Sequence, residues 1–353
     1  MKENGFDNLL EQVISGATLS AAMWRLLLTE LDDEEKQRLA SKARDVAQSH
    51  FGKGVYVRAL IEISSHCRNN CYYCGLRGSN RMAQRYRLCK EQIIECCREA
   101  AGLGFNTFVL QGGEDPLQDD EWLADVVAAI RAEFSSKAIT LSVGERSAVG
   151  YSLLRDAGAD RYLLRHESAD AEHYSYLHPG SMRLSSRLQC LENLKALGYQ
   201  VGSGMMVGSP GQTTEHLVKD LMLLDKLQPQ MIGIGPFIPA MGTPFADEPC
   251  GSVEDTLLLI SLLRLRFPKA LIPATTALAT LCNDGTQRAV LAGANVVMPN
   301  MTPLDCRDKY SIYNNKKTNG CESAQQLDLL AEKLEEIGYD INFSRGDYNE
   351  AER

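Results

Sequence analysis

The chain has 353 residues, of which 44% are hydrophobic, enough for a large buried core. Its 37 basic and 46 acidic side chains give a net charge of −9 without a basic run, which argues against a nucleic-acid partner. No apolar stretch reaches the ~18 residues of a membrane-spanning helix, and the first residues lack the apolar core of a signal peptide. The 11 cysteines, an odd number, are typical of thiols and ligands in a reducing compartment, so we expect a cytoplasmic protein.

Residues 1–50 carry apolar side chains at helical spacing in three segments, 7–16, 19–31 and 33–50. Asp32 or Asp33 is suited to cap the third helix, with Glu35 in its first turn. No residue type in this part indicates chemistry. We therefore predict a helical cap, residues 1–50, over the bottom of the domain that follows.

From residue 55 onward, short apolar segments alternate with helical patterns. This alternation implies parallel strands, and eight repeats predict an α/β protein with a (β/α)8 TIM-type barrel over residues 51–322. A flavodoxin-like open sheet is the alternative, although it needs fewer repeats. Residues 323–353 are expected to form a last helix and a polar tail within the same structural domain. The predicted strands are 55–63, 107–111, 138–143, 161–165, 200–207, 231–235, 271–275 and 295–298.

The predicted helices between these strands end at stop signals. Glycine follows four of them, at Gly104, Gly158, Gly198 and Gly293, the usual residue just beyond a helix. The helices are 90–103, 120–134, 149–157, 185–197, 213–227, 252–267 and 284–292. In a barrel of this kind the active site forms at the carboxyl ends of the strands, so the residues at those ends are the candidates for chemistry.

Three cysteines follow the first strand in the pattern C-x3-C-x2-C: Cys67, Cys71 and Cys74, with Tyr73 just before the third. Three thiolates at this spacing can ligate three irons of a [4Fe–4S] cluster. The loop has no fourth cysteine, which would leave one iron open to a small-molecule ligand. A zinc site or unrelated reactive thiols are the alternatives, but structural zinc usually takes four ligands and no second cysteine pair follows.

This cysteine motif resembles that of the radical S-adenosylmethionine (SAM) superfamily. Several further blocks resemble the HydE family of [FeFe]-hydrogenase maturases, with biotin synthase and methylornithine synthase as near relatives. The resemblance covers residues 55 to 313, most of the chain. The blocks are residues 58–87, 111–116 (QGGEDP), 161–168 (RYLLRHES), 232–239 (IGIGPFIP), 273–277 (PATTA) and 297–303 (VMPNMTP).

The resemblance implies one [4Fe–4S] cluster that binds SAM at its open iron and cleaves it to a 5′-deoxyadenosyl radical. It also implies a small substrate, a cysteine-bound iron carbonyl-cyanide unit on the way to the hydrogenase di-iron centre. The implied protein partners are a reductant such as flavodoxin or ferredoxin, and other hydrogenase maturases. Because oxygen damages an open cluster, we expect an anaerobic cytoplasm.

By the same resemblance, the segment after the second strand binds the methionyl amine of SAM, Glu167 contacts its ribose, and Arg187 binds its carboxylate. Without the resemblance, Arg187 reads as a solvated surface residue, and the glycines as an ordinary turn. Met206 packs on adenine or fills the core. The residues expected at the cofactor are Tyr73, Gly112, Gly113, Glu114, Glu167, Arg187 and Met206.

By the same resemblance, the substrate residues lie at the ends of the third, fourth, seventh and eighth strands and in a later loop. Thr140 and Ser142 alternate with apolar residues, so both point to one face, the barrel interior. Arg165 offers a bidentate fork for a carboxylate, or pairs with Glu167. Adjacent threonines can bind an anion. The full set is Thr140, Ser142, Arg165, Thr275, Thr276, Met298 and Tyr313, with Tyr310 and Tyr313 as a roof.

We expect no auxiliary cluster. Some HydE proteins hold a second cluster near the carboxyl terminus with three closely spaced cysteines, whereas the matching stretch here has only Cys321, and Cys306 stands apart. Biotin synthase takes a second cluster on its inner strands, where this chain has Thr140, Ser142 and Arg165. Two other hypotheses remain open: an amino-acid mutase of the methylornithine synthase type, and a cluster-carrying or zinc-binding scaffold without turnover.

Overall fold

The computed structural model describes residues 3–318 and 320–348. Within these ranges, no helix is long and apolar enough to cross a lipid bilayer. The helices are α1 Glu3–Ile14, α2 Ala21–Thr29, α3 Asp33–Phe51, α4 Lys90–Gly102, α5 Asp120–Glu133, α6 Ala148–Asp156, α7 Ala171–Leu177, α8 Leu184–Ala196, α9 Thr214–Leu227, α10 Val253–Arg266, α11 Thr276–Leu281, α12 Gly285–Leu291, α13 Leu304–Arg307 and α14 Leu327–Glu335.

The strands alternate with these helices, as the sequence predicts. Several strands are short, because a bulge or a glycine interrupts the regular pairing. They are β1 Gly54–Val57, β2 Ala59–Ser64, β3 Thr107–Gly112, β4 Ala138–Ser142, β5 Arg161–Leu163, β6 Gln200–Ser203, β7 Met206–Val207, β8 Met231–Ile232, β9 Gly235–Pro236, β10 Val296–Val297 and β11 Asp340–Asn342.

A closed ring of parallel segments forms the centre of the protein. The strands β2, β3, β4, β5, β6 and β8 pair in that order, all in parallel. Single bridges continue the ring from Met231 to Leu271, from Pro273 to Val296, and from Asn300 back to Leu60. All eight predicted strands are therefore present, and the TIM-type barrel is confirmed over the open sheet.

Helix caps explain where several helices begin and end. Asp32 caps α3 in a reciprocal capping box with Glu35, the arrangement that the sequence predicts. Side chains of Asp119, Ser147 and Ser252 cap α5, α6 and α10. The four glycines that follow predicted helices all adopt a positive φ, which glycine tolerates best: Gly104, Gly158, Gly198 and Gly293.

The amino-terminal helices pack on outer helices of the barrel: α3 and α1 contact α10, α2 contacts α9, and α3 also contacts α12. Their role as a cap over the bottom of the barrel stays a prediction. The amino ends of the strands are covered by the carboxyl-terminal tail, in which β11 pairs in parallel with β1. Buried Arg161 donates to the carbonyl oxygens of Arg345 and Gly346 and pairs with Asp347 at 2.6 Å. The tail is thus a structural plug for the end of the barrel opposite the cysteine loop.

Candidate active site at the carboxyl ends of the strands

The cysteine loop folds back along the end of its own strand. Leu88 donates to the carbonyl of Ile63 at 2.9 Å, and Ser65 donates to that of Tyr86 at 3.1 Å. Because buried carbonyl groups need hydrogen-bond partners, a single guanidinium placed inside the loop can fix several turns. Arg85 has this role, donating to the carbonyl oxygens of Ser65, Leu76, Arg77 and Asn80.

The three predicted thiols lie in this loop as free, partly buried cysteines. Burial and, after it, the neighbouring Cys67 thiol raise the pKa of Cys74 to about 12. Burial, together with Cys74 and Cys67, likewise raises the pKa of Cys71. Only a nearby cation can hold such thiols as thiolates at neutral pH. In residues 3–318 and 320–348, no three His, Cys, Asp or Glu side chains lie close enough to hold a single metal ion.

The segment after β3 packs directly behind the first cysteine. A Cβ atom at Gly113 would lie 2.3 Å from the carbonyl oxygen of His66 and 2.7 Å from Cβ of Cys67. Only glycine fits such a contact. At Gly113 the backbone therefore approaches the cysteine loop closely.

Two carboxylates beyond these glycines tie the strand end to the loop. Glu114 accepts from Arg68 Nε at 3.0 Å and from the backbone N–H of Glu145 at 2.8 Å. Asp115 accepts two bonds of 2.6 Å from Arg87. Burial alone would raise the pKa of Asp115, but these bonds outweigh it and lower that pKa. Both residues therefore position the cysteine loop.

Glu167 follows β5 in an unusual backbone conformation. Its φ is 64°, in the left-handed region that residues with side chains seldom adopt, and its N–H donates to the carbonyl of Gly204 at 3.1 Å. Its Oε2 lies 2.9 Å from a terminal nitrogen of Arg165, although the geometry is not that of a hydrogen bond. Such strain persists only where the surroundings enforce it, and it is often found at functional sites.

Arg187 of α8 is buried beneath the same strand end. Its Nε donates to Glu145 at 2.6 Å, and a terminal nitrogen donates to the carbonyl of Arg165, also at 2.6 Å. Burial would lower its pKa, but nearby acidic groups, Tyr174 and Glu145 first, raise it. The solvated surface position that residue type alone suggests is therefore wrong.

Tyr73 joins these residues to the thiols. It is partly buried, and its loss of solvation raises its pKa well above the usual value; it also interacts electrostatically with Cys71, Glu167 and Arg187. Its hydroxyl lies 3.1 Å from Nε2 of His178. The expected cofactor residues Tyr73, Glu167 and Arg187 therefore surround the cysteine loop.

Met206 lies in a small apolar cluster on this side of the barrel. Its neighbours include the rings of Tyr72 and Tyr73, so it contacts the cysteine loop from β7. The other members of the cluster are Leu177, Phe237 and Phe245. This packing is consistent with the core-filling role, and the contact of Met206 with adenine stays a prediction.

The barrel interior contains the polar residues that strand alternation predicts. In the observed register, Thr140 and Ser142 share a face with residues of β2 and β3, and neither belongs to the apolar layer beneath the helices. This confirms the predicted direction of both hydroxyls. The two facing rows are Leu60–Val109–Thr140 and Glu62–Gln111–Ser142.

Several polar atoms in this interior are buried and lack a hydrogen-bond partner in the described part of the chain. They are Oγ1 of Thr140, Oγ1 of Thr275 and Nε of Arg165, whereas the terminal nitrogen of Arg165 without a hydrogen bond lies 2.9 Å from Glu167. Thr276 differs from its neighbour, since its hydroxyl donates to Glu322 at 2.7 Å. Buried polar groups are nearly always paired in folded proteins, so these open atoms mark a place for a polar ligand.

The remaining expected residues lie above and below these atoms. Tyr313 interacts electrostatically with Arg165 and Glu322, so it reaches the same interior. Met298 packs on an apolar layer toward the amino ends of the strands, formed by Met231, Leu271 and Val296. The side chain of Cys321 lies outside the described residues.

One interior pair escaped the sequence analysis. Lys316 Nζ lies 2.5 Å from Glu62 Oε1, and the other oxygen of Glu62 accepts from Asn300 at 2.9 Å. The same ammonium group lies 5.2 Å from the ring of Tyr310. The sequence does mark Glu62 as unusual, because it is a lone carboxylate in an otherwise apolar strand. Its partner could not be identified from the sequence, because it is 254 residues away.

Comparisons with known proteins agree with this site. The model of the radical SAM superfamily matches residues 61–224, which include the cysteine loop. The [FeFe] hydrogenase maturase subunit HydE of Thermotoga maritima is 44% identical over 280 residues, 79% of this chain and 80% of that protein. The 3-methylornithine synthase of Methanosarcina barkeri is 33% identical over 92% of this chain and 96% of its own.

Solved structures share the fold. A crystal structure of methylornithine synthase superposes with a TM-score of 0.83 at 30% identity, covering 96% of this chain and 98% of that one. The hydrogenase maturase HydG superposes with a TM-score of 0.83 at 19% identity, over 98% of this chain and 77% of its own, which supports the fold alone. With its sequence identity to HydE over four fifths of the chain, the protein belongs to the radical SAM superfamily of enzymes and, within it, to the HydE family, related to methylornithine synthase and biotin synthase.

Proposed function

We propose that this radical SAM enzyme acts in the maturation of [FeFe]-hydrogenase, with its [4Fe–4S] cluster on Cys67, Cys71 and Cys74. The observation that carries the proposal is the 44% identity to HydE over most of both chains. The cluster and SAM belong to the superfamily as cofactors. When bound, they supply a one-electron cleavage of SAM that yields a 5′-deoxyadenosyl radical.

The chemistry of the three thiols fits such a cluster. Burial raises the pKa of both Cys71 and Cys74, the charge of Cys67 raises both further, and burial alone would keep these thiols neutral. Coordination to iron deprotonates a thiol outright and removes this cost. The brace formed by Arg85, and the contact of Gly113 with Cys67, would hold the three sulfur atoms in place before the metal binds.

We assign SAM to the space between the cysteine loop and the ends of β3, β5 and β7. Arg187 would bind its carboxylate and Glu167 its ribose, while the segment from Gly112 to Glu114 would face its amine. Glu167 has an oxygen without a hydrogen-bond partner, which supports its role as an acceptor. The side chain of Glu114 already accepts two hydrogen bonds from the protein. We therefore expect backbone atoms of the segment from Gly112 to Glu114 to contact the amine of SAM as well.

We assign the substrate to the open polar atoms of the barrel interior. Thr140, Arg165 and Thr275 together offer hydroxyl groups and a guanidinium fork, which suit a small anion or an amino-acid carboxylate. Ser142, Thr276, Met298 and Tyr313 would complete the site. In line with the HydE family, we propose a cysteine-bound iron carbonyl-cyanide unit as the substrate. The enclosing barrel would exclude water and other hydrogen donors from the radical.

Further assignments concern metal content, partners and compartment. We propose a single cluster, so reconstituted protein should hold about four irons per chain, whereas about eight would refute this. A flavodoxin or ferredoxin would supply the electron, and other hydrogenase maturases would act before and after this enzyme. We also propose that the protein works in an anaerobic cytoplasm.

A second function, an amino-acid mutase of the methylornithine synthase type, has its own support. That family matches 92% of the chain at 33% identity, and the fork of Arg165 could bind an amino acid equally well. The two proposals differ in substrate but share the radical chemistry. A scaffold without turnover would form no 5′-deoxyadenosine at all.

A cell-free maturation assay separates these functions. Apo-hydrogenase is incubated anaerobically with every maturation factor except HydE, and the reconstituted protein is added with SAM and a reductant. Recovery of hydrogen production, lost in Cys71→Ala but not in Cys250→Ala, would support the maturase. Release of 5′-deoxyadenosine from SAM in the presence of a free amino acid, without any hydrogenase maturation, would favour the mutase and overturn the proposal.

A further inference from the structure

The segment that carries the cysteine loop has an unusual charge. Between Glu62 and Glu91 the sequence contains six basic residues and no carboxylate, in a chain whose net charge is −9. The six are Arg68, Arg77, Arg81, Arg85, Arg87 and Lys90. The most positive stretch of an acidic protein therefore surrounds its expected redox centre.

Much of this charge is not neutralised. Arg68 pairs with Glu114, Arg87 with Asp115, and Lys90 with Asp125. In contrast, Arg77, Arg81 and Arg85 have no carboxylate partner among residues 3–318 and 320–348. Arg85 is held by carbonyl groups, which leave its positive charge in place.

These arginines border the cysteine loop directly. Arg85 donates to the carbonyl oxygens of Leu76 at 2.9 Å and Arg77 at 2.7 Å, so its guanidinium lies against the turn that follows Cys74. Arg81 is exposed and follows Asn80, which donates to the carbonyl of Gly75 in the loop at 2.8 Å.

A fourth unpaired cation comes from another element. Exposed Arg183 follows Met182, whose sulfur lies 3.7 Å from the sulfur of Cys71. It also lacks a carboxylate partner in the described chain. We name Arg77, Arg81, Arg85 and Arg183 the arginine patch.

Two exposed methionines adjoin the arginine patch. Met82 is 62% exposed and Met241 is 59% exposed, and Asn80, two residues before Met82, donates to the carbonyl of Met241 at 3.0 Å. Methionine and arginine are both enriched at protein interfaces, and methionine adapts to differently shaped partners. This composition is typical of a surface that meets another protein.

Resting on the function proposed above, we infer that the arginine patch docks a small acidic protein that carries single electrons. Opposite charge would steer the carrier to the cysteine loop, and close docking would shorten the path for electron transfer. The carrier loses one electron and the reconstituted centre gains it, so no other reactant is required. Arg85 would fix the loop, while Arg81 and Arg183 would contact the carrier.

The test compares two charge-reversed proteins. The patch variant carries Arg81→Glu and Arg183→Glu, and the control carries Lys42→Glu and Lys226→Glu, which are exposed and outside the patch. Both variants change the net charge equally. Calorimetry measures binding of a bacterial flavodoxin to each anaerobically reconstituted protein, and stopped-flow absorbance measures oxidation of the reduced flavodoxin. Dithionite, which needs no docking surface, serves as the second reductant for 5′-deoxyadenosine release.

We expect the patch variant to bind flavodoxin at least about tenfold more weakly and to oxidise it correspondingly slowly. Added salt should weaken binding in the wild type and control but have little effect on the patch variant. Dithionite-driven release should stay unchanged in all three proteins. Equal flavodoxin binding by patch variant and control would overturn the inference. If the wild type released no 5′-deoxyadenosine with dithionite, the proposed function would be refuted instead. The calorimetric measurement of flavodoxin binding would still test the docking surface in that case.

Discussion

His166 Nε2 lies 3.2 Å from Asp220 Oδ1, and both side chains are completely buried between β5 and α9. The other ring nitrogen of His166 lies 3.0 Å from the hydroxyl of Ser203 on β6. Asp220 also accepts a hydrogen bond from the backbone N–H of Ala169 at 2.5 Å. These contacts bracket Glu167 on both sides, which explains how its left-handed backbone is maintained.

We predict that His166→Leu weakens SAM binding although residue 166 does not face the ligand. The substitution leaves the buried Asp220 carboxylate with the Ala169 N–H but without His166, at a cost of about 1–3 kcal/mol, and frees the backbone at Glu167. SAM affinity, measured by anaerobic calorimetry, should fall at least about tenfold. His166→Gln, which can still bond to Ser203, should restore much of the affinity.

A second variant separates this effect from a general loss of stability. Ser261→Ala removes a buried hydroxyl that donates to Ala292 at 3.0 Å in the outer helix layer. It should cost about 1 kcal/mol of stability and leave SAM affinity unchanged. If His166→Leu lowers the thermal midpoint without weakening SAM binding, the proposed support of Glu167 is wrong.

The buried pair of Glu62 and Lys316 predicts a second result. Lys316→Met leaves the Glu62 carboxylate inside the barrel without its cation, which should lower the free energy of unfolding by about 3–5 kcal/mol. Adding Glu62→Gln should recover much of that loss, because no buried charge remains. Thermal midpoints of the single and double variants give this comparison. Additive losses in the double variant would show that the two side chains do not interact.

Titration of His178 predicts how stability depends on pH. Burial lowers its pKa from 6.5 to about 4. Between these values the unfolded chain binds a proton that the folded protein does not, so stability falls as the pH decreases below 6.5. From about pH 7.5 to about pH 5.5, this group should cost about 1 kcal/mol.

A variant isolates this contribution from other groups. His178→Gln removes the titration but can still bond to Tyr73, so its thermal midpoint should fall less than that of the wild type over the same pH range. His50→Gln, at an exposed position, should behave as the wild type. Identical pH profiles for His178→Gln and the wild type would rule out this account.

The sequence pattern alone predicts those structural features that depend on residues close to one another in the chain. Strand alternation gave the directions of Thr140 and Ser142, and glycine after a helix marked stops such as Gly104. The cysteine spacing indicated the loop because its three residues are close in sequence. These features depend on steric rules that act over a few residues.

Features that depend on distant contacts were not predictable in this way. Burial of Arg187 results from packing of α8 beneath β5, and the pair of Glu62 and Lys316 forms only when the chain closes into a barrel. The short strand β11 is polar, so its pairing with β1 has no periodic signal. The helices α7 and α11 are too short for a clear helical period.

The most direct test of the central claim is EPR spectroscopy of the reconstituted, dithionite-reduced protein with and without SAM. We predict a reduced [4Fe–4S] signal that changes when SAM is added, followed by release of 5′-deoxyadenosine. Cys250→Ala, at an exposed thiol, should behave as the wild type, whereas alanine at Cys67, Cys71 or Cys74 should abolish both. A signal indifferent to SAM, or turnover at the wild-type rate in Cys71→Ala, would contradict the assignment of the cluster to this loop.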